Sequence, residues 1–198
     1  MRSDDRPADL SSQTAGVAFI CTANRARSPF AAALLRRELH GLPVDVSSFG
    51  ILEQGGAPAL PSAVRAASAF GIDLSDHRAR ALGAGELAGM DLAIGFEPEH
   101  VAAAVSTGGV TVGRAFLLAE LADVLELDVL PWPANSEELH ARIAHADSRR
   151  FARGRLPRSI ADPVGGSERR FQQTYEEIDR MVAIVAMGLF SARTAPTD

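Results

Sequence analysis

Residues 17–29 read VAFICTANRARSP, and this stretch decides the fold. Its first four residues are apolar, which predicts a short buried strand. Ser28 suits the N-cap of a helix and Pro29 suits its first position, so a helix is expected over about 28–40. The chain therefore runs from a strand through a tight loop into a helix. The loop contains the single cysteine of the sequence, Cys21.

The residue types in this loop indicate phosphate chemistry. Backbone N–H groups gathered at a helix N-terminus favour an anion, and they also favour the thiolate form of Cys21. The planar guanidinium of Arg27 matches two oxygens of a phosphate. Sulfur could then attack phosphorus to form a phosphocysteine intermediate. A free cysteine is more often a small buried apolar residue, but Arg27 and the strand–loop–helix context favour the functional interpretation.

Residues 21–28, called the phosphate loop below, resemble the corresponding loop of the low-molecular-weight protein tyrosine phosphatases. The resemblance rests on Cys21, five residues and Arg27, on Asn24, and on the Arg-Ser-Pro run. It implies that Cys21 is the nucleophile, that Arg27 binds the phosphoryl oxygens, and that Ser28 hydrogen-bonds the thiolate or helps the thiol leave. Asn24 would stabilise the loop through its amide. The substrate-binding residues so implied are Thr22, Ala23, Asn24, Arg25, Ala26 and Ser28.

A second chemical motif, Asp162-Pro163, lies late in the chain and precedes the last predicted helix. Proline fixes the backbone after Asp162, and the glycines that follow allow a turn. A phosphatase needs an acid for the leaving oxygen and then a base for water. The position resembles that of the family's general acid, which makes Asp162 the third catalytic residue besides Cys21 and Arg27.

Strand and helix patterns alternate along the chain. This alternation predicts an α/β fold, a three-layer sandwich with a central four-stranded parallel sheet and helices on both faces. The site is then expected at the carboxyl ends of the strands. A short helix capped by Ser75 is also expected. The predicted strands cover about 16–21, 44–49, 90–96 and 110–116, and the main helices about 28–40, 61–70, 97–105, 117–125, 136–146 and 167–192, with Ser136 capping the fifth.

Composition limits the classes of function. The chain has 198 residues and a net charge of -5, so a nucleic-acid partner is not expected. Its apolar runs are too short for a membrane span, and the start of the sequence lacks an apolar secretory core. With one cysteine, a reducing cytoplasmic location is expected. We expect a disordered leader over 1–14, one phosphatase domain over 15–192 that includes an unusually long helical and loop segment at 126–160, and a frayed tail over 193–198.

The sequence departs from the resembled family in three places. Ala26 stands where many members have a second cysteine, so oxidation of Cys21 is expected to proceed without disulfide protection. An acidic residue usually follows a methionine at the end of the third strand, where this chain has Gly95-Phe96-Glu97. Val164 and glycines replace the aromatic residues after Asp-Pro. The apolar wall of the site is then expected from Phe49, Ile51 and Leu52.

Two basic features allow more than one interpretation. His77 lies beside the expected helix start at Ser75, and of a catalytic and a hydrogen-bonded structural histidine the structural one is expected. Arginines concentrate between 149 and 158, which is consistent with either a solvated helix end or a basic rim that attracts an anionic substrate.

The function expected from these residues is hydrolysis of phosphotyrosine or aryl phosphate monoesters through phosphocysteine, without metal or cofactor. The partner would be a phosphotyrosine protein or an aryl phosphate, and the sequence makes no prediction of oligomeric state. The alternative is an arsenate reductase that uses an external thiol or redoxin, since Cys21 has no partner cysteine. A phosphocysteine carrier of a sugar phosphotransferase system needs neither Arg27 nor Asp162. A non-catalytic phosphate-binding module would tolerate Cys21→Ser.

Overall fold

Four parallel strands form the centre of the molecule. The computed structural model describes residues 14–125, 133, 135–150 and 158–190. The order of the strands across the sheet is β2-β1-β3-β4. This arrangement confirms the predicted four-stranded parallel sheet. The strands are β1 (Ala15–Cys21), β2 (Val44–Gly50), β3 (Leu92–Gly95) and β4 (Ala115–Leu117).

Helices connect the strands and cover the sheet. A 3₁₀ turn at Val112–Arg114 precedes β4, and a π-helical turn at Ala186–Phe190 follows the last helix. Within the described ranges, none of the helices combines the length and the apolar character that a bilayer crossing requires. The helices are α1 (Arg27–Glu38), α2 (Pro61–Ser68), α3 (Pro98–Ser106), α4 (Leu118–Leu125), α5 (Ser136–Arg149) and α6 (Glu168–Val185).

The two faces of β1 belong to two separate cores, because successive side chains of a strand point to opposite faces. Phe19 and Cys21 join the larger core, which includes residues of α1, α4 and α6. Ala18 and Ile20 join a smaller core with Ala104 of α3. Helices on both faces confirm the predicted three-layer sandwich. Cys21 is the last residue of β1, so it lies at the carboxyl edge of the sheet.

Helix α6 is the element that packs behind the phosphate loop. It contacts α1, α2 and α4. The ring of Tyr175 stacks on that of Phe30, with centroids 3.9 Å apart, and its hydroxyl donates to the carbonyl of Ala26 at 3.0 Å. The predicted apolar stripe of this helix is confirmed as core, and its buried members are Phe171, Tyr175, Ile178, Met181, Val182, Val185 and Leu189.

Two predicted helix caps are wrong. Helix α1 begins at Arg27 with Ala26 as N-cap, and no side chain caps it. The Ser28 hydroxyl contacts the sulfur of Cys21 instead, so the sulfur and the cap compete for one hydroxyl. Helix α5 is capped by Asn135, whose side chain accepts from the N–H of Glu138, rather than by Ser136.

The short helix expected after Ser75 is also absent from the described structure. The Asp73 carboxylate accepts from the N–H of Ser75, which forms a turn. The following residues run as an extended segment, because their N–H groups bond across to other segments instead of along a helix. Those of Ala79 and Leu82 donate to Ala57 and Gly50, respectively. Residues 79–82 therefore lie alongside the end of β2.

Some predictions concern residues outside the described part of the chain. These residues are 1–13 of the expected leader, 126–132, 134, 151–157, and 191–198 at the end of the last predicted helix and in the tail. Of the arginine cluster, Arg150 has a buried side chain, which forms an ion pair with Asp147 at 3.1 Å. Arg158 pairs with Glu177. These two arginines are thus engaged with carboxylates of the same chain.

Candidate active site

Cys21, the first residue of the phosphate loop, is 2 % exposed, and two groups of the loop contact its sulfur. The sulfur accepts a hydrogen bond from the backbone N–H of Asn24 at 3.2 Å. The hydroxyl of Ser28 lies 3.0 Å away. Both groups can donate a hydrogen bond to the sulfur.

The Ser28 hydroxyl can respond to the protonation state of the sulfur. Its oxygen accepts from the Asn24 amide at 2.9 Å, and it has one hydrogen to donate. That hydrogen can go to the carbonyl of Phe49, at 3.2 Å, or to the sulfur of Cys21. With a thiol, the S–H can donate to Ser28 while Ser28 donates to Phe49. With a thiolate, Ser28 can turn its hydrogen to sulfur.

Asn24 holds the loop in place from its centre. Its backbone has φ 52°, the left-handed region that asparagine tolerates better than most residues. Its amide nitrogen donates to Ser28 and to Ser48, both at 2.9 Å, and its amide oxygen accepts from the N–H of Arg80 at 2.9 Å. Its backbone carbonyl accepts from Nε2 of His77 at 2.7 Å. The His77 contact is the structural one expected, and burial lowers the pKa of this histidine.

Gly50, at the end of β2, lets a second backbone segment approach the loop. A Cβ at this position would lie 2.8 Å from backbone atoms of both Ala23 and Asn24. The next residue, Ile51, donates its N–H to the carbonyl of Cys21 at 2.9 Å. The loop can therefore lie this close to β2 only because residue 50 has no side chain.

Arg27 connects the loop to two distant parts of the chain, and its side chain is 1 % exposed. NH1 donates to the Glu97 carboxylate at 2.6 Å and to the carbonyl of Ile160 at 2.9 Å. NH2 donates to Thr22 Oγ1 at 3.2 Å and to the Asp162 carboxylate at 2.8 Å. These bonds use all four NH1 and NH2 hydrogens, and Nε–H is the donor that they leave.

The two carboxylate oxygens of Asp162 have different partners, one within its own turn and one on Arg27. Oδ1 accepts from the N–H of Val164 at 3.0 Å, which forms the turn expected of Asp-Pro. Oδ2 is the atom bound to Arg27. With 37 % of the side chain exposed, the carboxyl can leave Arg27 without leaving its turn.

One cavity of about 270 Å³ brings the three predicted catalytic side chains together at the carboxyl edge of the sheet. Its size is close to what a small phosphoester needs. The residues that line it are Cys21, Thr22, Ala23, Arg25, Ala26, Arg27, Gln54, Leu60, Asp162 and Val164.

The six predicted substrate-binding residues divide into two groups. Four of them line the cavity, namely Thr22, Ala23, Arg25 and Ala26. Asn24 and Ser28 are 0 % exposed and do not line the cavity, because their side chains form hydrogen bonds inside the protein.

The apolar wall of the cavity differs from the expected one. It is formed by Leu60 and Val164, not by residues 49, 51 and 52. Phe49 is 1 % exposed and packs in the smaller core, beneath the guanidinium of Arg80. The alternation of β2 turns this ring inward, which an isolated view of the following loop does not reveal.

Several residues that contact this site carry no recognisable signal in the sequence. Glu97 binds Arg27 from the N-cap of α3, so an acidic group is present there despite the departure from the family's pattern. His100 is fully buried, and its Nδ1 accepts from the N–H of Glu97 at 3.0 Å. Burial, together with the nearby Arg27 guanidinium, lowers the pKa of His100 to about 4.

His100 is expected to make stability dependent on pH. Its pKa is about 4 when folded and 6.5 when unperturbed, so the unfolded chain binds the proton first as pH falls. The stability held by neutral His100 is complete above about pH 6.5 and decreases toward about pH 4. When the pH is lowered from 7 to about 4.5, protonation of this group in the unfolded chain should lower the free energy of unfolding by about 2 to 3 kcal/mol.

Urea titrations at both pH values would measure this loss, with His100→Asn as the matched variant. The variant lacks the titrating ring, so its stability should fall by correspondingly less between the two pH values. An equal fall in both proteins would show that His100 is not the group responsible.

The solved structures that resemble this chain share its fold. A solution structure of a low molecular weight protein tyrosine phosphatase from Bacillus subtilis is 26% identical, with a TM-score of 0.63 over 88% of this chain and 96% of that one. The YwlE arginine phosphatase from Geobacillus stearothermophilus is 23% identical, with a TM-score of 0.62 over 87% of this chain and 90% of that one.

Sequence comparison identifies the family. The probable low molecular weight protein-tyrosine-phosphatase EpsP of Ralstonia nicotianae is 37% identical over 105 residues, which are 53% of this chain and 71% of that protein. A model of the low molecular weight phosphotyrosine protein phosphatases matches residues 16–146, a range that includes the phosphate loop, Glu97 and His100. This protein therefore belongs to the low molecular weight phosphotyrosine protein phosphatase family.

Proposed function

We propose that this phosphatase hydrolyses phosphotyrosine and other aryl phosphate monoesters through a phosphocysteine on Cys21. The observation that carries the proposal is the single cavity shared by the Cys21 sulfur, the Arg27 guanidinium and the Asp162 carboxyl. A nucleophile, an anion-binding group and a proton donor are the three functions that this reaction requires.

Binding of substrate would exchange one partner of Arg27. The guanidinium binds a tetrahedral phosphoryl group best through two parallel N–H bonds. Nε–H is free for one of them, and NH2 becomes free for the other when Asp162 leaves it. The same exchange releases the Asp162 carboxylate next to the leaving oxygen, where it takes up a proton from solvent and becomes the acid, so binding and acid catalysis are coupled.

Two displacements at phosphorus then complete the reaction. In the first, the Cys21 thiolate forms the S–P bond while the P–O bond to the phenol breaks, and the phenol oxygen takes the proton of the Asp162 carboxyl. In the second, the Asp162 carboxylate removes a proton from water, the water oxygen attacks phosphorus, and the P–S bond breaks. Phosphate leaves, and the Ser28 hydroxyl can donate to the departing thiolate.

Arg25 supports an aryl leaving group over a cationic one. Its Nε donates to the carbonyl of Pro58 at 2.8 Å, which holds the guanidinium on the cavity wall. A guanidinium can stack on the face of a phenyl ring. It would repel the guanidinium of phosphoarginine, the kind of group suggested by the name of the Geobacillus arginine phosphatase.

Arsenate reduction is the alternative, since arsenate has the shape and charge of phosphate. It would need an external thiol, because Cys21 is the single cysteine of the chain. It would not need the Asp162 carboxyl, which is present in the cavity. The observed set of side chains thus favours hydrolysis.

Trapping the intermediate tests the proposal. Enzyme mixed with p-nitrophenyl phosphate and a metal chelator, quenched within one turnover and digested, should yield the Cys21 peptide with the mass of one added phosphoryl group. A phosphotyrosine peptide should also turn over, and phosphoarginine should turn over more slowly. Turnover without a modified Cys21 peptide, or arsenite release as the main activity, would contradict the proposal.

Asp162→Asn is expected to slow the enzyme most for poor leaving groups. The amide keeps the turn to Val164 but cannot supply a proton. We expect a loss in kcat of about 100-fold with phenyl phosphate and about tenfold with p-nitrophenyl phosphate, whose phenol leaves more easily without protonation.

Steady-state rates with a series of substituted phenyl phosphates would measure this difference. Asp73→Asn is the matched control, because its carboxylate forms the same kind of turn, with Ser75, on the surface. Equal losses for good and poor leaving groups would show that Asp162 does not act as the acid.

A further inference from the structure

The His100 ring is a buried group that the proposed reaction does not use. Nδ1 accepts from the backbone N–H groups of Glu97 and Phe96, at 3.0 and 3.3 Å. A nitrogen that accepts two hydrogen bonds has no hydrogen of its own, so the proton of the neutral ring is on Nε2. Nε2 lies 3.1 Å from Thr22 Oγ1 and therefore donates to it.

The Thr22 hydroxyl is consequently saturated as an acceptor. Its oxygen accepts from Nε2 of His100 and from NH2 of Arg27, the latter at 3.2 Å. A hydroxyl has two lone pairs and one hydrogen, so the hydrogen is what it has left to offer. Thr22 lines the cavity beside Cys21, where an anion would be the acceptor for that hydrogen.

We propose that His100 is a positioning residue, which fixes Thr22 as a hydrogen-bond donor to a phosphoryl oxygen in the cavity. The inference rests on the proposed function in so far as the anion is the substrate's phosphoryl group. A donor that is oriented before the substrate arrives stabilises charge on the phosphoryl oxygens without reorganisation during the reaction.

The orientation requires a neutral ring. Protonation would place a hydrogen on Nδ1 against two N–H groups that already point at it. Burial and the Arg27 guanidinium oppose protonation, whereas Glu99 and Asp162 favour it, and the pKa of His100 is about 4. The Glu97 carboxylate lies 4.0 Å from Nε2. His100 therefore stays the donor to Thr22 at neutral pH.

Two substitutions of His100 separate its two nitrogens. The side-chain oxygen of His100→Asn can replace Nδ1 and accept the backbone N–H groups, but it leaves Thr22 without its donor. The amide nitrogen of His100→Gln can reach the place of Nε2 and donate to Thr22, while the backbone N–H groups lose their acceptor. Positioning through Thr22 predicts that the Gln variant is the more active of the two and the less stable.

The experiment measures kcat/KM with p-nitrophenyl phosphate and the Kd of inorganic phosphate for these variants, with unfolding free energy beside them. Thr22→Val should lower kcat/KM about tenfold, Thr22→Ser by less than about threefold, and His100→Asn by about tenfold, as the loss of one hydrogen bond to a charged group implies. The double variant Thr22→Val with His100→Asn should lose no more than Thr22→Val alone.

Losses that multiply in the double variant, to about 100-fold, would overturn the inference, because His100 would then act independently of Thr22. The inference would also be overturned if the activities of the two His100 variants followed their stabilities, so that His100→Gln was the less active of the two.

Phosphate affinity separates this inference from the proposed function. If the wild type fails to hydrolyse but phosphate binding weakens non-additively in these variants, the function is wrong and the positioning stands. Unchanged phosphate binding and unchanged turnover in Thr22→Val refute the positioning alone.

Discussion

Cys21→Ser is expected to abolish turnover of p-nitrophenyl phosphate, with a loss in kcat of at least about 10⁴-fold. The substitution replaces sulfur by oxygen and changes little else. A serine hydroxyl at this position is not ionised near neutral pH, so the attacking anion is lost. The N–H of Asn24 and the hydroxyl of Ser28 can both still bond to the new oxygen, so the loop should keep its form.

Stopped assays with purified variant, at enzyme concentrations that detect one part in 10⁵ of wild-type activity, would measure the loss. Phosphate binding and urea unfolding serve as controls, and both should stay close to those of the wild type. A folded, phosphate-binding variant that retains a tenth of the activity would show that sulfur is not the nucleophile. Water activated by Asp162 would then be the remaining candidate in the cavity.

The local part of the site could be predicted from the sequence. Cys21, Asn24 and Arg27 lie within seven consecutive residues, between a strand and a helix that both follow from simple apolar patterns. The conformation of this one short loop therefore fixes their relative positions. Asp162 follows from the family resemblance of the late Asp-Pro pair, because on its own such a pair usually marks only a turn.

The distant contacts of the loop could not be predicted in the same way. Glu97 and His100 reach the loop because β3 pairs with β1 in a register that puts Gly95 beside Ile20. Four residues of sequence do not determine that register. Tyr175 could have been found, since a buried tyrosine hydroxyl needs a partner, and here the partner is the carbonyl of Ala26.

The cap predicted at Ser28 is wrong because other groups bind its hydroxyl. A serine before a proline is a good helix start when nothing else needs its hydroxyl. In this protein the Cys21 sulfur, the Asn24 amide and the Phe49 carbonyl all compete for Ser28. The helix begins at Arg27, two residues before Pro29, and no side chain caps it, so these contacts take precedence over the local preference.

Arg27→Lys is expected to lower kcat/KM by about 10³-fold, the usual effect of losing an arginine that stabilises a transferred phosphoryl group. An ammonium keeps the charge but has three hydrogens on one atom. It cannot bond Glu97, Ile160, Thr22 and Asp162 and still present two parallel N–H groups to phosphate. The partly buried Glu97 carboxylate would lose its 2.6 Å partner, so stability should also fall by about 1 to 3 kcal/mol.

Arg65→Lys provides the matched control, because its guanidinium lies on the surface of α2 and pairs with Glu168 outside the cavity. Kinetic assays should be run without urea, at a temperature at which unfolding curves show both variants folded. The loss of activity in Arg27→Lys then reports on the site. An exposed ion pair contributes little, and the control should retain its full rate. If Arg27→Lys lost less than about tenfold, a point charge would suffice for the phosphoryl group, contrary to the proposed pair of N–H bonds from Nε and NH2.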